Sequence, residues 1–171
     1  GNINIDSIKE YKETKERYDF YSEQKTDLEE SISAIEKIIE ELEVNMKVQF
    51  KEQFTQVNEN FKYVYKRLFG GGEGELTILD EDNILESDIQ ITAKPPGKKM
   101  KNLNLLSGGE KALTAISILF AIILAKPTPF CILDEIEAPL DDANIFRFGE
   151  YLKELSEDTQ FIAVTHRRGT M

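Results

Sequence analysis

Leu106-Ser107-Gly108-Gly109-Glu110 is the stretch that decides the fold of this 171-residue chain. Ser107 suits a helix N-cap, and the two glycines allow a backbone to come close to a ligand. Because a helix N-terminus presents free amides and a positive dipole to an anion, the stretch indicates a phosphate contact. An ordinary capped helix start has the same composition. The interpretation as a phosphate contact therefore depends on the residues that come after the stretch in the chain.

An acidic pair, Asp134-Glu135, comes after a short continuous apolar segment at residues 130–133. Such a segment is typical of a parallel strand covered on both faces, and ligands of parallel α/β sheets lie at the carboxyl ends of strands. An acid there can hold Mg²⁺, directly or through water, and its neighbour can orient an attacking water in phosphoryl transfer. Two solvated acids at a strand end are the alternative.

Two further polar residues complete the pattern. His166, the only histidine, follows a second apolar segment at residues 161–164 and could contact a γ-phosphate or be structural. Asp141 lies in a turn before the amphipathic segment 144–155, and it could cap that helix or reach across a subunit interface. Strand, helix and strand in this order form a βαβ unit. Together, the phosphate-binding helix start, the acid pair, the Asp turn and the histidine predict part of an ATPase site.

The loop that would complete such a site is missing from the sequence. A phosphate-cradling loop needs Gly-Lys-Ser/Thr after a strand. The glycines of residues 70–74 follow a predicted helix and indicate a helix end with a turn, and Gly97-Lys98-Lys99 has no hydroxyl residue after its lysine. We therefore expect the chain to need another polypeptide segment for catalysis.

Residues 1–69 are predicted to form one long helix, since they contain no Pro and no internal Gly. From Leu28 to Met46 the apolar residues recur in alternating steps of four and three, the seam of a coiled coil. From Phe50 to Leu68 the stripe changes phase and gains aromatic residues, which indicates a helix that docks on a globular core. A partner helix is implied, and a hairpin of two shorter helices is the alternative. The seam consists of Leu28, Ile32, Ile35, Ile39, Leu42 and Met46, and the second stripe of Phe50, Phe54, Val57, Phe61, Val64 and Leu68.

Composition makes some classes of protein poor candidates. The net charge of −11 and pI near 4.7 argue against a stand-alone DNA binder, and the short basic cluster Lys98, Lys99 and Lys101 is expected to be a solvated loop.

Cys131 is the only cysteine, so no disulfide forms within the chain, which fits a reducing cytoplasm. The apolar run 115–125 is shorter than the roughly 20 residues of a membrane-spanning helix. It predicts instead a buried helix at residues 111–126.

Four stretches together resemble the motifs of the ABC-type ATPases. Residues 105–113 resemble the signature motif, and residues 130–135 the Walker B strand. Residues 139–142 resemble the D-loop, and residues 164–166 the segment with the switch histidine. Within that superfamily the chain is similar to the C-terminal head lobe of a bacterial structural maintenance of chromosomes (SMC) protein. This narrower resemblance rests on Phe69–Gly72 after the long helix, Pro95-Pro96-Gly97-Lys98-Lys99, Asp134-Glu135-Ile136-Glu137-Ala138 and Thr165-His166-Arg167-Arg168-Gly169-Thr170-Met171.

The resemblance covers essentially the whole chain and implies its fold. We expect an α/β protein in which a coiled-coil neck helix at residues 1–69 precedes an ABC-ATPase-type head lobe at residues 70–171. The lobe would hold the C-terminal half of a P-loop NTPase-like sheet. Strand-like segments at 75–79 and 89–93 flank an acidic turn. The chain stops at Met171, before the family's final strands and helix, which implies an incomplete sheet edge; Pro139 stands where the family usually has a small residue.

The resemblance also implies a mechanism in which an N-terminal lobe supplies the Walker A loop and two heads enclose two ATP molecules. Ser107, Gly108 and Gly109 would contact the γ-phosphate of ATP held on the opposite head, and Glu110 would belong to the same nucleotide-binding motif. The chain would be an ATPase only when combined with the Walker A lobe and dimerised.

The remaining roles come from the same resemblance. Asp134 would support Mg²⁺, Glu135 would polarise water, Asp141 would signal across the interface, and His166 would sense the γ-phosphate. The expected partners are the Walker A lobe, a second head, a ScpA-like kleisin and, through the full complex, DNA, with no membrane. We expect a cytoplasmic, nucleoid-associated protein of chromosome condensation and segregation. Half of a related coiled-coil DNA-repair ATPase and a non-catalytic kleisin-docking module are the alternatives.

Overall fold

The computed structural model describes residues 5–167, and their side chains from residue 7 onward. Arg168, Gly169, Thr170 and Met171, which belong to one of the resembling stretches, lie outside the described residues. The elements are α1 (Ile5–Phe69), β1 (Glu73–Ile78), β2 (Ile89–Lys94), β3 (Lys101–Asn102), a short 3₁₀ turn (Leu103–Leu105), α2 (Gly108–Ala125), β4 (Phe130–Asp134), α3 (Asp142–Leu155) and β5 (Gln160–Val164). The predicted α/β class is confirmed.

The residues Gly1–Met46 form one of two compact units of the chain. All of their described side chains are exposed, including the predicted coiled-coil seam, whose members range from 49% exposed at Ile39 to 63% at Leu28. Because α1 is a single helix, the alternative of a hairpin is wrong. An exposed apolar seam agrees with a helix that has its partner elsewhere, and that partner stays a prediction.

The second unit, Lys47–Met171, contains the hydrophobic core. The last turns of α1 belong to it, since Phe61, Val64, Tyr65 and Leu68 are all fully buried. This confirms the prediction that the helix docks on a core after its apolar stripe changes phase. The unit is larger than the predicted lobe, which began at residue 70, because the docked turns of α1 supply a large part of the core.

A small antiparallel sheet of order β1-β2-β3 follows α1. The helix ends at glycines with positive φ, and a Cβ at Gly72 would overlap the carbonyl oxygen of Lys94, so no other residue fits there. The two predicted strands are confirmed. The two-residue strand β3 was missed, because it is too short to produce a hydrophobic period.

A second, parallel sheet joins β4 to β5, with α3 as the crossover helix, which confirms the predicted βαβ unit. The core beneath it is centred on Phe120 of α2. Its ring stacks on Phe148 of α3 at 5.8 Å and meets the edge of Phe161 of β5 at 6.2 Å. These aromatic contacts hold both helices against one face of the parallel pair.

The apolar segment of β4 predicted a strand covered on both faces, and that prediction is wrong. In β4 only Leu133 is buried, whereas Phe130 is 55% and Ile132 is 60% exposed. In β5, Ile162 and Val164 are about half exposed. The reason is that α2 and α3 cover one face, and no element among residues 5–167 covers the other.

Helix α2 is long and apolar enough, by length and composition alone, to cross a membrane. In the structure, Leu113, Ile116 and Phe120 of this helix lie in the core, and the side chain of Asn60 in α1 donates a hydrogen bond to the carbonyl oxygen of Ala121 at 3.2 Å. The predicted core helix is therefore confirmed, although Ile122 on its outer side is 49% exposed.

Candidate functional site

The carboxyl ends of β4 and β5 bring three of the predicted site residues together. Asp134 ends β4 in register with Val164 of β5, and the backbone N–H of Glu135 donates to the carbonyl oxygen of Val164 at 2.9 Å. His166 Nε2 lies 2.8 Å from Glu135 Oε1. The parallel register produces this pairing, because it places residues that follow the two strands side by side.

Glu135 has a left-handed backbone, with φ of 50°, and it is the only described non-glycine residue with positive φ. Such a conformation costs a non-glycine residue on the order of 1 kcal/mol and is found preferentially at active sites. Here it begins the turn over residues 135–140, which is closed by hydrogen bonds from Ala138 N–H to Glu135 O and from Leu140 N–H to Glu137 O. The turn aims the Glu135 carboxylate at His166 while about half of the side chain stays exposed.

Three residues beside this pair were not identified from the sequence as part of the site. Glu137 is only 3% exposed, and its carboxylate accepts a hydrogen bond from the hydroxyl of Thr165. Arg167 donates from its guanidinium to the carbonyl oxygen of Ala138 at 2.9 Å. The available signal was the acidic Glu137 between Ile136 and Ala138, because an acid among apolar residues requires a buried partner.

The start of α2 carries a second group of predicted residues. The Glu110 carboxylate accepts from the Ser107 N–H at 3.0 Å and from the Ser107 hydroxyl at 2.9 Å, so Ser107 is the predicted N-cap. Lys98 Nζ lies 2.9 Å from the other Glu110 oxygen. The hydrogen bond from Lys98, followed by the one from the Ser107 backbone, lowers the pKa of Glu110 to about 2. Lys98 thus adds an ion pair to this motif from an exposed loop, which confirms that the loop is solvated, although its contact with Glu110 was not predicted.

The glycines of the motif have different surroundings. A Cβ at Gly108 would meet nothing within 4 Å, whereas a Cβ at Gly109 would lie 3.3 Å from the carbonyl oxygen of Pro139. The helix start therefore packs against the turn that leads to Asp141. Asp141 caps α3 by accepting from the Asn144 N–H at 2.9 Å, which confirms one of its two predicted roles.

The site residues form two separate groups. Within residues 5–167 no hydrogen bond or ion pair links the motif at residues 107–110 with Asp134, Glu135 or His166. No three His, Cys, Asp or Glu side chains cluster as a metal site in that range either. A single exposed carboxylate such as Asp134 still fits Mg²⁺, which is usually held by one or two carboxylates together with substrate phosphates and waters.

Comparison with known proteins adds sequence relatives to this geometry. The family described as RecF/RecN/SMC N terminal domain matches residues 3–171. Chromosome partition protein Smc of Bacillus subtilis is 53% identical over the whole chain, and the protein of the same name from Desulfitobacterium hafniense is also 53% identical. The chain spans 14% of the length of each of these relatives. The family's description refers to an N-terminal domain, so these matches do not confirm the predicted C-terminal position.

Solved structures resemble the chain in fold. The Smc head domain with an extended coiled coil from Pyrococcus furiosus, bound to the C-terminal domain of ScpA, has a TM-score of 0.73 and 36% identity, covering 98% of this chain and 42% of that one. An Smc head bound to the C-terminal winged-helix domain of ScpA has a TM-score of 0.64 and 42% identity, covering 69% of this chain and 36% of that one. The predicted head lobe agrees with both structures, and its coiled-coil helix agrees with the first.

Proposed function

The chain belongs to the RecF/RecN/SMC family, and we propose that it is the part of an SMC ATPase head that lacks the Walker A loop. The observation that carries the proposal is the contact of Glu135 with His166, beside Asp134, at the carboxyl end of a parallel strand pair. A carboxylate held by a histidine at this edge suits the activation of water for attack on a phosphate. Because the motifs present are those that follow the coiled coil in the resembling ATPases, we place the chain in the C-terminal lobe.

The uncovered face of the parallel pair supports the need for a second lobe. Phe130, Ile132, Ile162 and Val164 expose apolar side chains on it, and a two-stranded sheet has edges that can accept further strands. Apolar faces of this kind mark surfaces that pair with another polypeptide. We propose that the Walker A lobe covers this face and brings the lysine loop to the carboxylates at its end.

In the completed head each of the proposed site residues has a distinct role. Glu135 accepts the proton of the attacking water or orients that water, while His166 holds the carboxylate and contacts the γ-phosphate. Asp134 is the carboxylate that would hold Mg²⁺, whose charge offsets that of the phosphates when it is bound. The free amides after Ser107 face the ATP of a second head, so that two chains are needed for each complete site.

The partners proposed for the complete protein are consistent with what its relatives bind. The Pyrococcus furiosus Smc head is bound to the C-terminal domain of ScpA, and we propose a kleisin of that type for this chain as well. We further propose a role in chromosome partition with DNA as the cargo of the full complex, at the nucleoid in the cytoplasm. A non-catalytic kleisin-docking module is the second candidate, since the chain alone lacks the Walker A loop.

Reconstitution tests the proposal. We expect the purified chain to hydrolyse no ATP alone and to gain turnover when it is mixed with a Walker A lobe, because only the mixture holds both halves of the site. Glu135→Gln is the matched variant; it should lower the turnover of the mixture by about 100-fold or more and accumulate an ATP-bound dimer. Phosphate release and size-exclusion chromatography measure both effects. Turnover by the chain alone, or an active Glu135→Gln mixture, would contradict the proposal.

A further inference from the structure

Glu137 is a buried acid with one described hydrogen-bond donor. It lies in the turn after β4, is 3% exposed, and accepts from the Thr165 hydroxyl. Burying a carboxylate is unfavourable unless it is paired or hydrogen-bonded. This small polar pair lies between two turns at the sheet edge, and it therefore holds those turns to each other.

Two further hydrogen bonds, made by Arg167, strengthen the connection between the two turns. The Thr165 hydroxyl oxygen accepts a hydrogen bond from the backbone N–H of Arg167 at 2.9 Å, while the hydroxyl proton is donated to Glu137. The Arg167 guanidinium reaches back to the carbonyl oxygen of Ala138, again at 2.9 Å. His166 thus lies between two residues that are both bonded to the turn of residues 135–140.

The side chain of His166 has little packing of its own. It is 86% exposed, and its contact with Glu135 is its one described polar interaction. An exposed imidazole can adopt several rotamers, and the one that meets Glu135 is available only while the backbone of His166 keeps its position. The hydrogen bonds of Thr165 and Arg167 hold that backbone, since they bracket His166 on both sides.

We propose that Glu137 is a positioning residue that holds His166 against Glu135 by way of the Thr165 hydroxyl. The inference rests on the proposed function for its catalytic consequence, but the placement of His166 can be tested without ATP. Glu137 touches neither His166 nor substrate; it acts by fastening the turn that carries Glu135 to the turn that carries His166. The two members of the catalytic pair then keep a common position when nucleotide arrives.

The first experiment uses the chain itself, without a histidine tag. Because His166 is the only histidine, its imidazole produces a single Hε1–Cε1 cross-peak in an NMR spectrum. In Glu137→Ala and Thr165→Val we expect that cross-peak to move toward the position of a free imidazole, with loss of the nuclear Overhauser contact to Glu135. Glu137→Gln and Thr165→Ser keep an acceptor and a donor, respectively, and should retain the wild-type signal.

The control is Ser117→Ala. The buried Ser117 hydroxyl donates to Leu113 O within α2, so its removal tests the loss of a buried hydrogen bond elsewhere in the core. We expect it to lower thermal stability without moving the His166 signal. Thr165→Val keeps the shape of threonine, so it tests whether the contact between Glu137 and Thr165 positions His166 even if Glu137→Ala fails to fold. An unchanged His166 signal in folded Thr165→Val would overturn the proposal.

The second experiment measures ATP turnover after each variant is mixed with the Walker A lobe. We expect Glu137→Ala and Thr165→Val each to lower kcat by about tenfold with KM for ATP little changed, and Glu137→Gln and Thr165→Ser to restore most of it. The double variant Glu137→Ala/Thr165→Val should lose no more than either single variant, because both break the same contact. Additive losses in kcat would overturn the proposal. An inactive wild-type mixture would count against the proposed function, while the NMR result would still decide the role of Glu137.

Discussion

Glu110 shows how one carboxylate organises the start of α2. It accepts from the backbone and hydroxyl of Ser107 and pairs with Lys98, and its side chain is only 18% exposed. The resemblance assigned Glu110 to nucleotide binding, and that role stays a prediction. Within the chain the carboxylate orders Ser107, the residue proposed to face the phosphate, so the effect of Glu110 on nucleotide would pass through Ser107.

Stability should depend on the charge of Glu110. The pKa of Glu110 is about 2 in the folded chain, against an ordinary value of 4.5. Below pH 4.5 the unfolded chain takes up a proton there first, so the stabilisation by Glu110 is fully present above pH 4.5 and is lost as pH falls toward 2. We expect Glu110→Gln to lower the free energy of unfolding by about 1 kcal/mol at pH 6, and by less at pH 3. Urea unfolding at the two pH values measures the difference.

Lys98→Met is the companion variant for this measurement, because it removes the largest cause of the lowered pKa while leaving Glu110 in place. We expect the free energy of unfolding of Lys98→Met to fall less between pH 6 and pH 3 than that of the wild type, as for Glu110→Gln. A stability difference between wild type and Glu110→Gln that stays constant from pH 6 to pH 3 would show that the charge of Glu110 contributes nothing.

Among single residues, sequence reasoning succeeded where the partner is close along the chain. Ser107 and Asp141 were predicted as helix caps, and their observed partners, Glu110 and Asn144, are only three residues away in the chain. It failed for Lys98 with Glu110 and for Glu137 with Thr165, because these pairs are 12 and 28 residues apart. Only the folded chain brings them together.

The end of α1 is the element on which the globular unit is built. Its aromatic rings form a continuous series, with Phe61 at 5.7 Å from Tyr65 and Tyr65 stacked on Phe69 at 4.1 Å. Strand β1 passes close over this series at Gly74, where a Cβ would lie 2.8 Å from the ring of Phe61 and 2.9 Å from that of Tyr65. The strand can approach the helix this closely only because position 74 has no side chain.

Gly74→Ala should therefore destabilise the fold. The added methyl group overlaps two fully buried rings, and overpacking of this kind costs about 1–3 kcal/mol. We expect a corresponding loss in the free energy of unfolding, measured by urea denaturation of the chain. Gly108→Ala is the matched variant, since its Cβ would meet nothing within 4 Å and it should leave that free energy nearly unchanged. Equal stability of the two variants would refute the close approach of β1 to α1.

Elements with a strong hydrophobic pattern were predicted well, and their burial less well. The helices and four of the five strands were placed within a few residues of their observed bounds. The apolar segment of β4 predicted a strand buried on both faces, yet Ile132 is 60% exposed. The pattern indicates which residues favour burial, whereas actual burial depends on which elements are present to cover them.

At the scale of the whole molecule, exposed apolar surface occurs in both compact units. In Gly1–Met46 it is the coiled-coil seam, and in Lys47–Met171 it includes the open face of the parallel pair. Both surfaces fit the proposal that another polypeptide completes the protein, a helix on the first and a Walker A lobe on the second. The chain has the composition of a folded protein, but it leaves large apolar side chains in solvent.

Ile132→Lys tests the open face. Because Ile132 is already 60% exposed, the lysine should leave the stability of the chain nearly unchanged, but it would place a charge in the proposed contact with the Walker A lobe. We expect association with that lobe to weaken by about tenfold or more, measured by isothermal titration calorimetry. Leu79→Lys, at a residue 60% exposed beyond the end of β1, is the control and should bind normally. Normal binding by Ile132→Lys would show that the lobe docks elsewhere.

The sequence by itself determined the order of elements, the α/β class, the capped start of α2 and the positions of the acids and the histidine, since each depends on residues near one another along the chain. Tertiary structure alone decided that Glu135 meets His166, that Glu137 is buried against Thr165 and that one face of the β4–β5 pair is open. These features depend on strand register and on the helices available to cover the sheet. Local composition determines neither the register nor the covering of the sheet, because both arise from contacts between distant segments.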